Sequence, residues 1–114
     1  MVKTYVPDAG EIVWLDFDPQ AGREQAGRRP AVVLSPASYN TKAGLAIICP
    51  ITNRAKGYPF ETPLPAGLPI SGVVLADHAR SLDWNARHAE LICRLPAEVV
   101  EDVAAKIIAL VAED

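Results

Sequence analysis

Residues 24–36, "EQAGRRPAVVLSP", set a carboxylate, a small flexible pair and two adjacent arginines directly before an apolar run that reads as a buried strand. Guanidinium groups stay charged at every relevant pH and offer forked donors that match phosphate oxygens. Two of them at the entrance to a core point to a bound anion. The same residues also read as solvated loop charges. Pro30 biases Arg29 towards extended backbone, so the expectation is an Arg29 fixed at the strand entrance and an Arg28 that swings. A second candidate lies in "ITNRAKGYPF", where Thr52 closes an apolar strand and Arg54 and Lys56 follow at alternate positions. A strand-end hydroxyl with cations nearby suits a phosphoryl group. It equally suits the local backbone, which threonine hydroxyls commonly satisfy.

Other chemistries find less support. Asp16 and Asp18 share a strand face in "WLDFDP" and offer a divalent cation two carboxylates, without a third ligand at a recognised spacing. His78 and His88 fit no zinc pattern, and the chain carries no Gly-rich phosphate loop, nucleophile elbow or Cys–His catalytic signature. His78, beside Asp77, is a candidate surface acid or base. No metal and no organic cofactor are expected.

The elements that must position these residues come from periodicity. Strand-like runs recur at 11–17, 31–35, 45–52, 58–62, 72–77 and 89–95, separated mostly by Gly, Pro and Asn. The rhythm predicts a small antiparallel barrel or sandwich. From residue 97 to 112 the apolar positions Val100, Val103, Ala104, Ile107 and Val111 follow one helical face. Pro96 and the acidic residues Glu98, Glu101 and Asp102 suit its N-terminal end. The segment "DPQAGREQAGRRP" between the first two strands is long for a connection in a compact domain, and such loops are often functional.

A chain of 114 residues makes one domain, 1–114, large enough to bury roughly two thirds of its unfolded surface. Its net charge of -3 argues against a general nucleic-acid coat. The charge is uneven: residues 1–60 hold seven Lys and Arg against five Asp and Glu, and residues 61–114 hold four against nine. An anion site therefore belongs in the first half, with Arg23, Arg28, Arg29, Arg54 and Lys56. Cys49 and Cys93 sit in apolar runs and read as free thiols, which predicts a reducing, cytoplasmic home. The N-terminus lacks the apolar core of a signal peptide, and no run is long enough to cross a bilayer.

The blocks "YVPDAGEIVWLDFDPQAGREQAGRRPAVVLSPASYN", "KGYPFE" and "LADH" together resemble the MazF/PemK family of toxin endoribonucleases. The resemblance implies a mainly β fold, a small SH3-like antiparallel barrel with a C-terminal α-helix, shared with gyrase-poison toxins. It implies a homodimer that cleaves single-stranded RNA, mRNA above all, without a metal, giving 2',3'-cyclic phosphate and 5'-OH ends. A cognate antitoxin with an acidic, partly disordered segment would neutralise it. By the same resemblance Arg29 and Thr52 match the catalytic residues. An arginine is a poor base, because its pKa lies above about 12, so Arg29 is assigned to transition-state charge and Thr52 to the scissile phosphate. Glu24 is assigned to proton removal or loop positioning. RNA contacts are expected from Phe17 and Tyr58 by stacking and from Arg28, Asn40 and Lys56 by polar groups, with Asp77 and His78 alongside. The chain departs from the family pattern at Arg28, where a histidine can occur, at His78, where a glutamine can follow the aspartate, and at Leu75, where some relatives place an arginine. These departures bear on the sequence that is cut and on the role of Asp77. The alternative is a non-enzymatic toxin of the gyrase-poison type that grips a protein.

Overall fold

A computed structural model of the chain describes residues 5–17 and 27–112. Seven strands and two helices follow in the order β1 (Glu11–Asp16), β2 (Arg28–Val33), α1 (Ala37–Ala43), β3 (Ala46–Thr52), β4 (Glu61–Pro63), β5 (Val73–Leu75), β6 (Arg80–Leu82), β7 (Glu90–Arg94) and α2 (Ala97–Val111). A single 3-10 turn, Ala76–His78, joins β5 to β6. The strands form one antiparallel sheet in the order β4-β5-β3-β2-β1-β7, and β6 pairs with the first half of β3.

The apolar runs are nearly continuous because both faces of the central strands are buried. One face carries Val13, Leu15, Phe17, Ala31, Val33, Ala46 and Ile48, closed by Leu82 and Trp84. The other carries Ile12, Val32, Cys49, Ile51 and Val74, closed by Leu95 and by Val103 of α2. The alternation is that of a pleated strand, in which successive side chains point to opposite faces. Helix α2 is pinned to the β4 edge by polar contacts: Lys106 Nζ donates to Glu61 O at 3.0 Å and to Thr62 Oγ1 at 2.8 Å. No helix among the described residues is long and apolar enough to cross a membrane.

Two expectations are corrected. The mainly β, SH3-like barrel is instead a mixed α/β fold whose sheet stays open, with β4 and β7 at opposite edges. Turn spacing marks where strands break, but closure depends on whether the outer two meet. Helix α1 and β6 were also not expected. Seven residues with only Asn40 buried leave α1 no apolar stripe to read. Its start is capped from outside, by the Asp8 carboxylate accepting from Ala37 N at 2.9 Å. Its end turns on Gly44, at φ 70°.

Candidate active site

Both arginines belong to a strand. The β1–β2 ladder sets Leu15 opposite Arg29 and Asp16 opposite Arg28, and strand alternation starts the two side chains from opposite faces of the strand. On the β3 side, Ala31 pairs with Pro50 and Val32 with Cys49. The pairing ends there, with Arg29 and Thr52 each two residues beyond the Ala31–Pro50 pair. Thr52 is buried, and its Oγ1 accepts from Arg54 N at 3.1 Å. The backbone around it is crowded: a Cβ at Gly72, where φ is +126°, would lie 2.3 Å from Thr52 O.

Arg28 is anchored. Nη1 donates to Asp16 Oδ1 at 2.9 Å, while Nη2 donates to His88 O at 2.9 Å and to Glu90 Oε1 at 3.2 Å. Asp16 accepts a second partner, His88 Nδ1, 2.7 Å from Oδ2. These hydrogen bonds, His88 first and Arg28 next, hold the Asp16 carboxyl below the usual carboxylate range, and Asp16 in turn raises Arg28. The swinging Arg28 of the sequence reading is thereby corrected, because the register places a carboxylate directly opposite it.

A cleft of about 530 Å³ opens beside the pair, lined by Trp14, Arg28, Arg29, Pro30, Asn53 and the 68–71 segment. Lys56 and Tyr58 lie further along the chain on an exposed turn, with Lys56 Nζ 5.8 Å from the Tyr58 ring centroid. The Glu61 carboxylate holds that turn by accepting from Lys56 N at 3.1 Å and Gly57 N at 3.0 Å. Tyr58 is 60% exposed. The bond from Ala76 N to Phe60 O, 3.0 Å, draws Asp77 and His78 alongside this turn.

Two expected contacts are buried instead. Phe17 is 1% exposed and packs in the core with Leu15 and Ala31, so it presents no face for a base to stack on. Asn40 is fully buried. Its Nδ2 donates to Pro7 O at 2.8 Å and Ser35 O at 3.0 Å, and its Oδ1 accepts from Ser35 Oγ at 2.6 Å. Glu24 lies outside the described residues, as do Asp18 and Arg23. Among the described residues, no three or more His, Cys, Asp and Glu side chains gather as metal ligands would. Cys49 and Cys93 are free thiols. Burial pushes the Cys49 thiol up to about 12.

The family model of the PemK-like, MazF-like toxins of type II toxin-antitoxin systems matches residues 8–111. The chain belongs to this family. It is 49% identical over 111 residues to the endoribonuclease toxin MazF of Escherichia coli K12, covering 97% of this chain and 99% of that one. The crystal structure of MazF from Deinococcus radiodurans superposes with a TM-score of 0.93 at 61% identity, over 96% of this chain and 99% of the other. A MazE–MazF crystal structure from the same organism gives 0.86 at 55% identity, over 97% and 100%. Four residues not singled out in the sequence also meet this region: Trp14, Asn53 and Ser71 line the cleft, and Glu90 contacts Arg28. Asn53 adjoins Thr52 in the chain, whereas Trp14 arrives by pairing with Pro30, Ser71 by its hydroxyl reaching Asn53, and Glu90 through the β1–β7 pairing.

Proposed function

We propose that the chain is an endoribonuclease toxin that cleaves single-stranded RNA, mRNA included, and is neutralised by a cognate antitoxin. The observation that carries this reading is the cleft lined by Arg28, Arg29 and Asn53, next to Thr52 at the end of β3. The endoribonuclease named among its relatives, 49% identical over almost its whole length, supports the same activity. That resemblance also favours a nuclease over a toxin that only grips a protein.

The reaction needs a proton removed from the ribose 2'-OH. O2' then attacks phosphorus, and the P–O5' bond breaks as the leaving oxygen gains a proton. Arg29 supplies fixed positive charge to the phosphoryl oxygens as negative charge builds, which is worth most when the donor is held in place beforehand. Thr52 Oγ1 already accepts from Arg54 N, which leaves its hydroxyl proton to donate to the scissile phosphate. Glu24 takes the 2'-OH proton or positions its loop. Tyr58 and Lys56 give the flanking strand a stacking surface and a cation. A homodimer is the working unit, in keeping with the exposed Ile108, Leu110 and Val111 at the end of α2. Two free cysteines suit the reducing cytoplasm.

Incubation with mixed-sequence single-stranded RNA in excess EDTA tests the reading. The expected result is fragments ending in 2',3'-cyclic phosphate and 5'-OH, and none from a strand with 2'-deoxyribose at the cut. Intact RNA at enzyme excess returns the case to a protein-gripping toxin. Cleavage abolished by EDTA and restored by magnesium assigns the catalysis to a metal.

A further inference from the structure

We propose that Glu90 is an internal stand-in for an RNA phosphate, occupying the Arg28 guanidinium in the free protein and giving way when a backbone phosphate enters the cleft beside Arg29. The inference rests on the endoribonuclease reading.

The three acceptors on Arg28 are not equivalent. Asp16 sits directly opposite Arg28 in the β1–β2 ladder. Its carboxylate is also bonded to His88 Nδ1, and its backbone N donates to Arg87 O at 3.0 Å while its carbonyl accepts from Arg87 Nη1 at 3.0 Å. The His88 carbonyl belongs to the turn before β7, whose chain is fixed by His88 N donating to Asn85 O at 3.1 Å. Glu90 differs from both. Its side chain is 70% exposed, and it meets Nη2 at 3.2 Å, sharing that nitrogen with the shorter bond to His88 O. An exposed carboxylate held by a long, shared contact is cheap to displace.

Charge gives the displacement a purpose. Arg28 faces two carboxylates, Asp16 and Glu90, so with Glu90 in place the charge of Arg28 is offset and offers a polyanion little attraction. Once Glu90 swings into solvent, Arg28 is left oriented by Asp16 and presents a donor to the cleft that it lines with Asn53 and Ser71. A phosphate oxygen takes that N–H as a single charge-assisted hydrogen bond. Specificity against weakly charged ligands follows, because only an anion stronger than one exposed carboxylate opens the site.

The test is affinity for a short mixed-sequence RNA strand with 2'-O-methyl riboses, which binds without being cut. Glu90→Gln should lower Kd about two- to fivefold, the span that an exposed ion pair covers. It should lower KM for unmodified RNA by a similar factor and leave kcat unchanged. Glu101→Gln, exposed on α2, removes the same charge elsewhere and should give a smaller gain. In an Arg28→Ala background the Glu90→Gln gain should vanish. A gain equal to that of Glu101→Gln, or one that survives in Arg28→Ala, overturns the proposal. A gain for an oligoglutamate competitor with none for RNA overturns it in favour of a carboxylate-bearing protein ligand. Wild-type protein that cuts RNA while Glu90→Gln binds no tighter defeats this inference alone. Wild-type protein that neither binds nor cuts defeats the endoribonuclease reading as well.

Discussion

Asp16 and Arg28 face each other across the β1–β2 ladder, and their side chains close the pair with Nη1 2.9 Å from Oδ1. The neighbouring Arg29 pairs with Leu15, and its side chain leaves the strand on the other side of the pleat. Two adjacent arginines that look interchangeable in sequence are therefore given different work by the pleat. One is neutralised and oriented by acids at the mouth of the cleft, and the other lies, like Thr52, two residues beyond the last β2–β3 pair.

This division predicts different kinetics for the two. Arg29→Ala should lower kcat by about 10² to 10³, the usual cost of removing one held donor to transition-state charge. Arg28→Ala should raise KM while changing kcat much less. Steady-state cleavage rates with an unchanged far-UV spectrum decide it, and a larger kcat loss in Arg28→Ala would reverse the assignment.

Gly72→Ala should impair the site without touching RNA. The new methyl would fall 2.3 Å from Thr52 O, and the alanine would have to keep a φ of +126° that L residues rarely adopt. Expected outcomes are a lower Tm and a lower kcat together, as the end of β3 is forced away from Arg29. A variant with wild-type kcat would show that the placement of Thr52 is not critical.

Asn40→Ala and Tyr58→Ala should separate folding from binding. Losing Asn40 leaves the buried Ser35 and Pro7 carbonyls without the Nδ2 donor, at a cost of about 1 to 3 kcal/mol for each unsatisfied group. Its Tm should fall while the folded protein keeps its RNA affinity. Tyr58→Ala should do the opposite, holding Tm and weakening RNA binding by about 1 to 3 kcal/mol if one base stacks there. Thermal melts paired with RNA titrations read both.

The Asp8 carboxylate is held below its ordinary range by the backbone N–H of Ala37 and then of Ala9. A depressed folded-state pKa contributes stability that is fully present above the unfolded value of about 3.9 and is lost as pH falls through the folded one. Asp8→Asn should therefore destabilise the protein at neutral pH and flatten its loss of stability below about pH 4. Chemical denaturation across that range checks it, and an unchanged acid limb would assign the effect to other carboxylates.

The apolar runs that became β1, β2 and β3 and the helical stripe of α2 were legible in the sequence, because period two and period 3.6 are local properties of the chain. Donor chemistry is written in the side chain itself, which is what made Arg29 and Thr52 candidates for a phosphate. Tertiary structure decided the rest. Phe17 and Asn40 read as surface contacts, but the sheet face and α1 enclose them, and enclosure depends on segments far away in sequence. Glu90 meets Arg28 only because β7 adds to the far side of β1. Whether the sheet closes was decided the same way. Its outer strands β4 and β7 are placed by their pairings with β5 and β1 and by the packing of α2, and no local pattern states how far apart those edges will stand.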